Sequence, residues 1–148
     1  DVSVSKQSLY KTLAYAGAIP FVACAVAALA GLSFPAPLGP PERLAASYGL
    51  TIVSFMAGVL WGVYLTSRGA VPGQPFLASN AVALIAWGVF LAGPPKLALS
   101  VMAVLFLYLL YVDYALSRSG ALTGDYLALR RNVTAIVVLS LAALVLAT

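Results

Sequence analysis

The sequence predicts an all-α fold, a polytopic integral membrane bundle of about five transmembrane helices. Three observations predict it. Of 148 residues, 63% are hydrophobic and only 8% are charged, against about 25% charged in a soluble domain. The apolar residues gather into five runs of roughly 17–24 residues, each long enough to cross a hydrocarbon core of about 30 Å at about 1.5 Å per residue. The runs are continuous, whereas a membrane barrel needs short alternating segments. A soluble fold of this size cannot hide so much apolar surface, so the bilayer must solvate the outer face. A single domain, residues 1–148, is expected.

The first span is predicted over residues 9–32. Its basic flank, apolar run and Ala28-Leu29-Ala30-Gly31 resemble a secretory signal, but a retained membrane anchor is the preferred reading. Asp1 is not a natural start residue, so the natural N-terminus is expected upstream. Within this span Pro20 cannot donate to the Ala16 carbonyl, which predicts a kink at Gly17–Pro20. Pro35, Pro37, Gly39, Pro40 and Pro41 fill the loop that follows. The second span covers 44–66 and the third, the shortest, 75–91, after a turn at Arg68, Gly69, Pro72 and Gly73. Gly93-Pro94-Pro95 makes a tight turn, with Pro95 at the first position of the fourth span, 95–116. The fifth covers 126–147, with Thr123 or Asp125 placed to cap it. Five spans do not divide into two equal inverted halves, so the inverted-repeat transporter plan finds no support.

Loop charges predict the orientation. Lys6, Lys11, Arg68, Arg118, Arg130 and Arg131 fall on one side, Arg43 and Lys96 on the other. The positive-inside rule then puts the N-terminus in the cytoplasm and the C-terminus outside. A net charge of +4 is explained by these flanking cations, and no nucleic-acid partner is expected. The single cysteine, Cys24, rules out an intrachain disulfide and lies in an apolar run, as a small buried hydrophobe would. The lack of histidine excludes histidine-ligated haem or copper and the HExxH zinc site within this chain. No cofactor or metal is expected. No nucleophile elbow, phosphate loop or dinucleotide fingerprint is present, so no catalytic residues are assigned and an enzyme is not expected.

Four features remain. Asp113 lies about one turn inside the end of the fourth span, where a carboxylate needs a partner or water. If the last two helices form an antiparallel hairpin, Arg130 reaches the same depth, predicting an intramembrane polar pair. The pair reads as a structural clamp or, alternatively, as a proton or cation site. Ser54, Gly58 and Gly62, spaced by four, form a helix-packing stripe. Packing within the monomer is preferred for it, with an interface to another subunit as the alternative. Tyr108, Tyr111, Tyr114, Tyr126, Trp61 and Tyr64 read as an interfacial aromatic belt, although Tyr111 and Tyr114 are also placed to bond Asp113. Asn80 shares a face with Trp87 and is expected to hydrogen-bond across helices.

These residues carry a resemblance. Gly17-Ala18-Ile19-Pro20-Phe21, Tyr48-Gly49 with Ser54-Phe55, Gly58 and Trp61-Gly62, then Tyr111-Val112-Asp113 and Leu129-Arg130, resemble the family of domain of unknown function 3429. That family includes the mitochondrial transmembrane protein 69. The resemblance runs over nearly the whole chain, and the block from Tyr48 to Gly62 is its most specific part. Ala57 departs from a glycine common there, and Asp125-Tyr126 from an aromatic pair. The resemblance implies a bacterial or mitochondrial inner-membrane home and singles out Trp61 as the motif aromatic, but it implies no activity. Short loops and small-residue faces lead to the expectation of a non-catalytic accessory or assembly subunit of a larger inner-membrane complex. Its partners would be the lipid bilayer and other membrane subunits or further copies of itself. The alternative is a small oligomeric transporter or channel built on Asp113 and Arg130. A bacterial inner (cytoplasmic) membrane, multi-pass placement is expected.

Overall fold

The computed structural model describes residues 2–66, 73–118 and 124–148. Among them there are five helices and no strand: α1 (Val2–Leu29), α2 (Pro41–Thr66), α3 (Gly73–Ala92), α4 (Pro95–Arg118) and α5 (Gly124–Ala147). Four of them, α1, α2, α4 and α5, are long and apolar enough to cross a membrane, so the chain is a multi-pass membrane protein. The apolar part of α3, Leu77–Ala92, is shorter.

The ends follow from backbone chemistry. Helix α1 stops at Leu29, three residues before the predicted end, because Gly31 takes φ 72°, a conformation that costs a glycine little. The Gly31 amide then bonds the Ala28 carbonyl at 3.1 Å and the Leu32 amide bonds the Ala27 carbonyl at 2.8 Å, a complete Schellman cap. Helix α2 begins at Pro41 rather than after Arg43, which places Glu42 in its first turn, where a carboxylate opposes the positive helix end. The Gly93-Pro94 turn leads into Pro95 as the first residue of α4, as expected. A Cβ on Gly93 would stand 2.9 Å from the Val89 carbonyl oxygen, so the turn requires glycine. Asp125 lies inside the first turn of α5 rather than before it, so it does not cap that helix. Thr123 and the predicted turn at Arg68, Gly69 and Pro72 lie outside the described residues.

Helices α1, α2, α4 and α5 close a ring, each packed on the next, with α5 returning to α1. Helix α3 sits outside the ring against α2 and α4. The four ring helices are therefore the four long ones. The core inside the ring holds Phe21, Val53, Leu99, Met102, Phe106, Leu109, Val137, Leu141 and Leu144. Phe21 meets Phe106 edge-on at 5.8 Å between ring centroids and Tyr48 at 5.0 Å, tilted by 56°. These tilted geometries satisfy the ring quadrupoles and couple α1 to α2 and α4.

Candidate functional site

Helices α4 and α5 run as an antiparallel pair, and their inward faces carry the two buried charges. Arg130 donates from Nε to Asp113 Oδ2 at 2.7 Å. The side chains are only 10% and 9% exposed. The predicted pair is present, and its geometry is that of a charge-assisted hydrogen bond. Arg130 also donates from Nη1 to the Met56 thioether sulfur at 3.0 Å. The guanidinium thus ties α5 to both α4 and α2. Sulfur is a weak acceptor, so this second bond leaves a strong donor poorly matched.

A cavity of about 350 Å³ opens beside the pair, with walls from α1, α2, α4 and α5. Apart from Asp113 and Arg130 its lining is chiefly apolar, including Leu13, Phe55, Val59 and Tyr126. Leu13 and Phe55 are strongly exposed, so the cavity opens outward between α1 and α2. The site combines an apolar slot with one neutralised ion pair at its inner wall.

Gly17 and Pro20 position a second polar contact. Helix α1 continues past Pro20, whose missing N–H leaves the preceding turn one donor short. The Tyr48 hydroxyl of α2 donates to the Gly17 carbonyl at 2.8 Å. The carbonyl that lacks its helical donor is that of Ala16, and the Tyr48 hydroxyl bonds the next one along, so it tethers α2 to α1 beside the proline without replacing the lost bond.

The small-residue stripe requires a correction. Ser54, Gly58 and Gly62 are exposed, and among the described residues a Cβ on Gly58 or Gly62 would meet no atom within 4 Å. The monomer buries the opposite side of α2 instead, through Ala46, Gly49, Val53, Ala57 and Leu60. Among the described residues no helix packs closely over Gly58 or Gly62, so the stripe is not the face that the monomer buries. Trp61 is exposed near the end of the same helix. Tyr111 and Tyr114 point outward, Tyr111 being 68% exposed, because they flank the inward-facing Val112 and Asp113 on α4. The hydrogen bond to Asp113 comes from Arg130 instead. Asn80 and Trp87 are also exposed, so Asn80 faces away from the neighbouring helices.

Sequence reasoning missed Met56, the role of Tyr48, and the bond from Asn132 Nδ2 to the Tyr15 hydroxyl at 3.3 Å, which links α5 to α1. Tyr48 alone carried a signal, as the first residue of the Tyr48–Gly62 block that carries the family resemblance. The sequence profile described as "Protein of unknown function (DUF3429)" matches residues 6–146. No curated protein and no solved structure matches the chain.

Proposed function

The chain belongs to the DUF3429 family of proteins of unknown function, and on that premise we propose that it is a non-catalytic accessory or assembly subunit of a larger inner-membrane complex. One observation carries this reading: the outward face of α2 presents Ser54, Gly58 and Gly62, with space above both glycines. In lipid, helices associate through close backbone approach at small residues rather than through hydrophobic exclusion. A glycine face turned to lipid forgoes side-chain contacts that a leucine would make, so a second helix is its natural cover. That helix belongs to another subunit or to a second copy of the chain. In this reading α3 is a fifth span, and the N-terminus lies in the cytoplasm, as the basic flanks favour.

The pair Asp113–Arg130 serves this role as an internal clamp. Transport through the same pair is the weaker reading, because Arg130 already neutralises the carboxylate at hydrogen-bond distance. The test substitutes Gly58→Leu and Gly62→Leu together. Among the described residues no atom lies within 4 Å of a Cβ placed on either glycine, so helix content and melting temperature should stay unchanged. Native electrophoresis after mild solubilisation should show the wild type in a larger complex and the double variant as a monomer. A wild type that migrates only as a free monomer would sink the proposal, as would a double variant that stays in the complex.

A further inference from the structure

We propose that the cavity beside Arg130 binds the ring of a lipophilic quinone, with a guanidinium N–H donating to a quinone carbonyl and the tail leaving through the opening between α1 and α2. The proposal does not depend on the assembly role. It rests on four properties of the cavity.

The first is an ill-matched donor. A guanidinium carries five N–H groups. The structure gives this one Asp113 through Nε and only the Met56 sulfur through Nη1. A carbonyl oxygen is a better acceptor than a thioether, and Arg130 itself lines the cavity. A ligand carbonyl entering the cavity meets a strong donor held in place by Asp113.

The second is charge. Asp113 and Arg130 sum to zero, and both line the cavity. An anionic head, a fatty-acid carboxylate or a phosphate, would approach the Asp113 carboxylate as well as the guanidinium. A neutral carbonyl gains the donor without that repulsion.

The third is depth. Asp113 is five residues from the end of α4 at Arg118, about 7.5 Å along the axis. Helix α4 is 24 residues long, about 36 Å, against a hydrocarbon core of about 30 Å. With the helix centred, Asp113 lies roughly 4–5 Å inside the hydrocarbon boundary. Phospholipid phosphates lie further out, in the headgroup layer, whereas a quinone dissolves in the hydrocarbon region with its carbonyls.

The fourth is shape. About 350 Å³ lies at the small end of ligand sites, with room for one substituted six-membered ring and the start of its tail rather than for a two-chain lipid. Phe55 and Tyr126 supply aromatic walls for a planar ring. The exposed Leu13 and Phe55 at the rim give the tail a path into the bilayer.

The experiment uses the full chain in nanodiscs of uncharged phospholipid, titrated with decylubiquinone or with palmitate while thermal unfolding is followed. A ligand that binds the folded state raises the melting temperature saturably. Decylubiquinone should do so and palmitate should not. Leu13→Trp, at an exposed rim position, narrows the entrance and leaves the ion pair intact. It should keep the ligand-free melting temperature and weaken quinone affinity at least about tenfold. Arg130→Lys should weaken it as well. If Arg130→Lys does not fold, Leu13→Trp alone decides. The proposal is overturned if the wild type shows no saturable shift, or if Leu13→Trp binds decylubiquinone like the wild type. It is equally overturned if palmitate shifts the transition as far as the quinone does. Co-purified phospholipid found by native mass spectrometry in the wild type and lost in Leu13→Trp would assign the cavity to a lipid instead.

Discussion

Arg130 and Asp113 are joined through Nε and Oδ2 at 2.7 Å, on consecutive antiparallel helices and 17 residues apart in sequence. Neither charge is tenable alone at this burial. Replacing one partner strands the other, which in buried pairs costs about 3–5 kcal/mol, whereas replacing both by apolar residues is often close to neutral. Asp113→Leu and Arg130→Leu should each lower the detergent melting temperature sharply, and the double variant should recover most of the loss. A double-mutant cycle measures the coupling. Additive single effects would show that the pair does not act as a clamp, as would unchanged folding of Asp113→Asn.

Tyr48→Phe removes one donor and leaves the ring packed on Phe21. The bond that ties α2 to the Gly17 carbonyl is lost, so stability should fall by about 0.5–1.5 kcal/mol. Tyr48→Leu should cost more, because the aromatic contact goes as well. Equal losses in the two variants, measured by chemical unfolding, would leave the hydroxyl without a role.

Gly93→Ala and Gly58→Ala are the same chemical change in opposite settings. The first pushes a methyl to 2.9 Å from a backbone oxygen, and the second meets nothing. Gly93→Ala should destabilise by about 1–3 kcal/mol, in line with overpacking at a site that cannot yield. Gly58→Ala should be neutral or slightly stabilising for the monomer, because alanine is the better helix former. Circular dichroism melts of the two variants check the contrast.

Thr134 lies fully inside the ring on α5, and its hydroxyl has no hydrogen-bond partner among the described residues. Thr134→Val swaps that group for a methyl of similar size. The usual penalty for losing a buried hydroxyl is therefore absent. The variant should match or exceed wild-type stability by up to about 1 kcal/mol in a thermal melt. A clear loss would reveal a hydrogen bond made by that oxygen in the membrane.

The helices were legible because lipid demands long unbroken apolar runs, and because Gly93 and Pro95 mark the turn between α3 and α4 in backbone terms; the stop at Gly31 was not read. The Asp113–Arg130 pair was legible for a related reason. Both charges sit in short-looped neighbouring helices, so counting turns fixes their depth. The orientation of α2 was not legible. In a soluble protein, polarity would tell the inner face from the outer, but against lipid both are apolar. Ala57 and Gly58 differ by one methyl and sit about 100° apart on the helix, yet the first is buried and the second exposed. Met56 and Tyr48 were missed because their partners, Arg130 and Gly17, lie 74 and 31 residues away, and no local pattern encodes such pairings. The Asn132–Tyr15 bond spans 117 residues for the same reason.

The closure of the ring between α1 and α5 bears on how the protein is made. Helices enter the membrane in order of synthesis, and α4 precedes α5. Until α5 arrives, the Asp113 carboxylate has entered lipid without its counter-ion and α1 lacks one of its neighbours. The nascent chain therefore passes through a stage with an unpaired acid at bilayer depth, a recognisable handle for an insertase or a quality-control protease. Slowing translation between α4 and α5 should prolong that stage and raise turnover of the chain, and the double variant Asp113→Leu/Arg130→Leu, which strands neither charge, should blunt the effect.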